Sequence, residues 1–196
     1  MSVRAYIGLG ANLGDREATI DAALAAIGLI DGVQLRVVSP LYETEPIGPP
    51  QPSYLNGALS VDTVLSAPEL LRGLLAVERR LGRVRVATER NAPRTIDLDL
   101  LLHGESIWRE AEIEVPHPRL LERAFVLVPL LQIAPNLRHP VTGCLLASGS
   151  CLRSSFGIAM WRPGQVFGGD FEQHPRSRDL SKGLAQLHDC FPCPHL

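Results

Sequence analysis

The chain has 196 residues, 45% of them hydrophobic and 20% charged, with a formal net charge of −2. This suits a globular protein with one real core. It argues against a bulk polyanion partner such as nucleic acid, so any anion site must be local. No apolar run is long enough to cross a membrane, and the chain enters a strand pattern at once, so a cytoplasmic protein without a signal peptide is expected.

Residues Val3 to Leu9 read as a strand running into Gly8 and Gly10. Asp15 is a helix N-cap candidate, followed by Ile20, Ala23, Leu24 and Ile27 at helical spacing. Val33 to Tyr42 is β-rich, with Leu35, Val37 and Leu41 expected on one face, and a Pro- and Gly-rich loop follows from Glu45 to Ser53. Tyr54 to Val64 alternates as a strand does. Ser66 and Glu69 form a capping box for an amphipathic helix carrying Leu70, Leu71, Leu74, Leu75, Val77 and Leu81, which ends at Gly82. An Arg-rich loop then leads to a strand holding Asp97 and Asp99, and Phe125 to Ile133 is a further short helix stopped by Pro135.

The order β-α-β-β-α-β is that of an α+β, ferredoxin-like sandwich. It predicts an antiparallel sheet with two helices on one face and the loops gathered near the other. From about Cys144 the periodicity fails. The expectation is a domain over residues 1–143 and an atypical, poorly ordered extension over residues 144–196. All four cysteines lie in that extension, and Cys190 and Cys193 form a Cys-x-x-Cys between His188 and His195. The ligand types suit zinc. One such pair in a terminal stretch is thin evidence, and reduced thiols in a tail are the plainer reading.

The chemistry concentrates in Pro93 to Leu101. Residues two apart on a strand share a face, so Asp97 and Asp99 stand side by side. Two adjacent carboxylates repel unless a cation sits between them. Hard oxygen ligands suit Mg²⁺, which leaves its remaining positions to water and phosphates. Ile96, Leu98, Leu100, Leu101 and Leu102 mark the strand as buried, where unpaired acids are rare. Arg83, Arg85, Arg90 and Arg94 add anion-binding capacity, and together these point to phosphate transfer.

Two further groups suggest a pocket. Thr44, Pro46, Gly48, Pro49, Tyr54 and Asn56 frame a stiff loop with a stacking ring and an amide. Pro116, His117 and Pro118, then Arg123 and Phe125, offer an imidazole, a phosphate-binding cation and a second ring. The turn from Gly8 to Gly14 lacks the spacing of a dinucleotide fingerprint, its third Gly coming one residue late. It reads as a tight strand-to-helix turn that lets backbone approach closely.

Taken together these residues resemble the 6-hydroxymethyl-7,8-dihydropterin pyrophosphokinases of the folate pathway. The likeness runs from residue 3 to about 143. It is most specific in Pro93-Arg94-Thr95-Ile96-Asp97-Leu98-Asp99 with the downstream Val115-Pro116-His117. The resemblance implies transfer of the terminal pyrophosphoryl group of ATP to the pterin hydroxymethyl group, leaving AMP. It implies two Mg²⁺ ions on Asp97 and Asp99, and Arg83 and Arg94 stabilising the transferred group. Glu78, Arg85, Arg90, Arg94, His117 and Arg123 would hold ATP. Tyr54 and Phe125 would sandwich the pterin, with Asn56 and the Thr44, Pro46 and Ile47 segment reading its edges. Asp97 would accept the hydroxyl proton. A monomer is expected from the family. The loops 45–53 and 83–93 are expected to close on ATP.

Two departures stand out. Asn91-Ala92 replaces the Trp-Gly common before Pro-Arg, and the C-terminal helical pattern dissolves at Gly143 to Cys144, as in an unusual extension or an out-of-frame read. The competing readings are another Asp-x-Asp phosphoryl transferase and a non-enzymatic ferredoxin-like binding module. The Tyr54, Asn56 and Phe125 set argues against the first, and the carboxylates with their arginine cluster argue against the second.

Overall fold

The computed structural model describes residues 1–46, 48–83, 92–148 and, as backbone, 158–160. Among these residues, eight strands and three α-helices run in the order β1 (Val3–Ala11), α1 (Arg16–Gly28), β2 (Val33–Val38), β3 (Tyr42–Thr44), β4 (Tyr54–Thr63), α2 (Ala67–Arg80), β5 (Asp97–His103), β6 (Trp108–Glu110), β7 (Ile113–Val115), α3 (Ala124–Ile133) and β8 (Ile158–Met160). The main sheet is antiparallel, in the order β5-β1-β4-β3-β8, and β2 lies beside β3 along the same edge of β4. This is the ferredoxin-like plan expected from the element order.

The helices start and stop where local chemistry dictates. The Asp15 carboxylate accepts from the Ala18 amide at 3.0 Å and caps α1. The Ser66/Glu69 capping box opens α2. At its other end Gly82 takes φ +82°, its amide bonds Arg79 O, and the Arg83 amide bonds Glu78 O at 3.0 Å. That double closure is a Schellman motif, which needs a residue free to be left-handed. It turns the chain so that Arg83 comes back beside Glu78.

The sheet has two unlike faces. Ile7, Leu9, Leu55, Leu59, Val61, Leu98 and Leu100 point to one, where Ile20 and Ile27 of α1 and Leu70 and Leu74 of α2 complete the larger core. Ala58, Leu101 and Leu102 on the other meet Val126, Leu127 and Leu130 of α3, which covers only part of that face. Leu146 is fully buried in this second cluster, and β8 pairs with β3 from Thr44↔Ile158 to Tyr42↔Met160. Packing and pairing therefore reach past residue 143. Cys144 forms no disulfide among the described residues, and the other three cysteines lie outside them.

Three local expectations needed correction. The strand read as Val33 to Tyr42 is two strands. Pro40 has no amide to give, and the Ser39 hydroxyl accepts from the Ala58 amide at 2.9 Å to carry the pairing across the break. A bulge between Leu35 and Val37 shifts the register, so Leu35 faces Val61 and the larger core while Val37 falls opposite Ser60 on the other face. Gly8 and Gly10 sit inside β1 and not in a turn, paired with Ala58 and Asn56. Of that glycine group only Gly14, at φ +66°, is a turn residue.

Candidate active site

The exposed end of the second face carries most of the expected residues. Directly opposed residues in an antiparallel sheet share a face. The register sets Asp97, Gly10, Asn56 and Tyr42 in one row and Asp99, Gly8 and Ala58 in the next. Asp97 and Asp99 are half-buried on the outermost strand, while their neighbours Leu98 and Leu100 turn into the larger core. Both glycines are buried, the Leu101 side chain lying over Gly8 and the Asn56 side chain over Gly10.

Arginines converge on Asp97. Its Oδ1 accepts from Arg83 Nη1 at 2.5 Å and its Oδ2 from Arg94 Nη1 at 2.8 Å. Arg83 Nη1 also pairs with Glu78 Oε1, which accepts the Leu98 amide at 2.8 Å on the outer edge of β5. Glu78 is 1% exposed, so it anchors Arg83 and the strand edge from below. A direct nucleotide contact from Glu78, as expected from the sequence, does not fit that burial. Both Asp97 oxygens are engaged by arginines here.

Asp99 is held more loosely. Its Oδ2 lies 3.7 Å from Arg123 Nη1. Burial, and next the charge on Asp97, push its carboxyl up to about 6. A carboxylate in that position favours a cation. Arg123 shows the reverse need. Burial first and Arg119 second lower its pKa, and its buried Nε has no hydrogen-bond partner among the described residues. An anion would answer both. The Arg123 guanidinium also lies 5.6 Å from the centre of the Phe125 ring, and that of Arg94 lies 6.0 Å from Tyr54.

His117 is brought in by β5. A bulge at Leu101 frees its carbonyl to accept the His117 amide at 2.9 Å. Burial, with Arg123 nearby, lowers the imidazole to about 4. Its Nδ1 accepts from the Arg119 amide at 3.1 Å, which assigns the proton of the neutral ring to Nε2. A cleft lined by His117, Pro118, Leu121 and His139 opens beside it.

On the other side of the glycines, Asn56 Nδ2 donates to the Thr44 hydroxyl at 2.7 Å, both residues being buried. Pro46 is half-buried at the start of the following loop. Tyr54 is half-buried, its hydroxyl donating to Gln51 Oε1 at 3.2 Å. Ile47, Arg85, Arg90 and Asn91 lie outside the described residues. Asn12, not singled out from the sequence, is 2% exposed and bonded to both loops that frame the site. An Asn closing a Gly-rich strand was its only signal.

Comparison with known proteins bears on the family and the fold. Residues 6–135 match the family model described as 7,8-dihydro-6-hydroxymethylpterin-pyrophosphokinase. A 2-amino-4-hydroxy-6-hydroxymethyldihydropteridine pyrophosphokinase of Synechocystis is 38% identical over 170 residues, covering 86% of this chain and 85% of its own length. A match of that extent necessarily runs past residue 143. The enzyme of the same name from Pseudomonas aeruginosa is 45% identical over 141 residues, 71% of this chain and 86% of its own. The folic acid synthesis protein fol1 of Schizosaccharomyces pombe is 42% identical over 139 residues, 70% of this chain but 19% of its own length. In structure, the HPPK-DHPS of Plasmodium falciparum superposes with a TM-score of 0.58 at 14% identity, over 75% of this chain and 44% of its own.

Proposed function

The chain belongs to the 7,8-dihydro-6-hydroxymethylpterin-pyrophosphokinase family, and from that premise we propose how its own residues carry out pyrophosphoryl transfer with ATP as donor. The reaction moves a pyrophosphoryl group to the hydroxymethyl group of the dihydropterin, a step in folate synthesis. The observation that carries the residue assignment is the row Asp97, Gly10, Asn56. It sets a cation-seeking edge and an amide reader two strands apart, about 10 Å at the usual strand spacing, with a glycine as the residue between them.

The pterin lies against Asn56 and the Thr44 to Ile47 segment, between the rings of Tyr54 and Phe125. Its hydroxymethyl group then points along the sheet towards β5. The triphosphate lies over Asp97 and Asp99, with Arg123 on its phosphates and the nucleoside towards neutral His117 and the cleft beside it. The two carboxylates suit Mg²⁺. No cluster of three or more metal-ligating side chains occurs among the described residues, and Mg²⁺ usually completes its shell with water and phosphate. When bound, Mg²⁺ neutralises triphosphate charge and holds it in line.

The hydroxymethyl oxygen attacks the β-phosphorus, the bond from that phosphorus to the α–β bridging oxygen breaks, and AMP leaves. The hydroxyl proton passes to solvent. Arg83 and Arg94 leave Asp97 for the transferring group as its charge develops. Positioning and charge neutralisation supply the rate. No described helix is long and apolar enough to cross a membrane.

The test is product analysis with ATP, Mg²⁺ and 6-hydroxymethyl-7,8-dihydropterin, resolving AMP from ADP. Pterin-dependent AMP without ADP is expected. ADP, or nucleotide turnover indifferent to pterin, would sink this reading.

A further inference from the structure

Asn12 directly follows Ala11, the last residue of β1, and is almost wholly buried at 2% exposure. It reaches in two directions. Its Nδ2 donates to Gln51 Oε1 at 2.9 Å and to the Pro52 carbonyl at 3.1 Å. Its Oδ1 accepts the Arg94 amide at 2.8 Å, and its own amide donates to the Arg94 carbonyl at 3.2 Å. The first pair belongs to the segment leading into Tyr54, whose hydroxyl shares Gln51 Oε1. The second belongs to the segment that presents Arg94 to Asp97. One primary amide thus uses donors on one loop and its acceptor on the other, the full capacity of its polar atoms apart from spare lone pairs.

We infer that Asn12 is a positioning residue that holds the acceptor side and the phosphate side of the site at a fixed separation. This rests on the reading of the site given above. Asn12 is too deeply buried to touch either substrate. It acts through Gln51 and Pro52 on the Tyr54 wall and through the Arg94 backbone on the phosphate wall. The geometry makes the two effects separable. Asn12→Asp keeps an acceptor for the Arg94 amide but brings a carboxylate against the Pro52 carbonyl. Gln51 could turn its amide to suit; a backbone carbonyl cannot. Asn12→Leu removes both links, and Gln51→Met removes part of the acceptor-side link alone.

The experiment pairs hydrogen exchange of the ligand-free protein over residues 51–54 and 92–95 with steady-state KM values for pterin and for ATP at fixed Mg²⁺. In Asn12→Asp, faster exchange is expected at 51–54 alone. Its pterin KM should rise about tenfold, the scale of one lost buried hydrogen bond, while its ATP KM stays within about twofold. Asn12→Leu should quicken exchange in both segments and raise both KM values. Should that variant fail to fold, Gln51→Met must still raise the pterin KM alone. Equal effects of Asn12→Asp on both segments, or both KM values rising in the same ratio, would overturn the inference. Absence of pterin-dependent AMP from the unsubstituted protein would overturn the functional reading instead, and the exchange pattern would still judge Asn12.

Discussion

Asp97 and Asn56 occupy one row of the sheet with Gly10 alone between them. A Cβ at residue 10 would stand 2.6 Å from Asn56 Oδ1, closer than non-bonded atoms tolerate. Gly10→Ala must therefore displace the Asn56 amide from Thr44. Loss of that bond should lower kcat/KM for pterin about tenfold or more, with ATP KM little changed. Gly8→Ala is the control, since its Cβ would meet Leu101 at an ordinary 3.4 Å. Equal loss in both variants would show that the lack of a side chain, not the Asn56 contact, is what residue 10 provides.

Asp97→Ala and Asp99→Ala should each cut turnover by at least about a thousandfold, the scale of losing a principal charge-stabilising group, while leaving circular dichroism unchanged. Isothermal titration with Mg²⁺ and an ATP analogue should show the matching loss of metal-dependent binding. Near-normal turnover in either variant would remove the metal assignment.

The raised Asp99 carboxyl gives a pH signature with opposite signs with and without metal. Its folded form binds a proton more tightly than the unfolded chain does. This group therefore adds stability to the metal-free protein as pH falls through about 6 towards 4, and that contribution is lost as pH rises through about 6. Mg²⁺ needs the proton gone, so its stabilisation should be full at pH 7 to 8 and fade below about 6. Melting temperatures from pH 5 to 8, with and without Mg²⁺ and nucleotide, should converge at the acid end. His117 is held neutral down to about 4 in the fold but is free to protonate below about 6.5 in the unfolded chain. It therefore lowers stability as pH falls through the same window with and without metal, so the Asp99 signature is read from the difference between the two curves.

Glu78→Leu should destabilise the fold by about 1–3 kcal/mol, because it leaves the buried Leu98 amide without its acceptor and removes one of the two carboxylates that Arg83 bridges. Urea unfolding measures this directly. Glu78→Gln retains an acceptor and should cost less. A loss of activity in Glu78→Leu with unchanged stability would instead favour a direct role at the nucleotide.

Much of this was legible in the sequence because the signals were local. Asp15, the Ser66/Glu69 box and Gly82 mark helix ends through bonds within a few residues, and the i, i+2 spacing of Asp97 and Asp99 puts them on one face. What escaped was set by pairing between distant segments. The Arg36 bulge reverses Val37 because Val61 and Ser60 fix the register. Gly10 reads as a turn residue until Asn56 is seen opposite it. Glu78 reads as an ATP ligand by resemblance, and its bond to the Leu98 amide is seen only once β5 lies beside it. The register also shows why Asn12 matters, since its partners lie some forty and eighty positions away.

The strand β8 adds a consequence for how the molecule is made. It lies along the outer edge of β3, whose Thr44 bonds Asn56, so the sheet beside the acceptor pocket is finished by residues 158–160. A ribosome has released every proposed catalytic residue well before that strand emerges. Until then β3 is an open edge able to pair with another nascent chain. That edge is therefore closed only after every proposed site residue has been made, and cover of β3 by chaperone matters most in that interval.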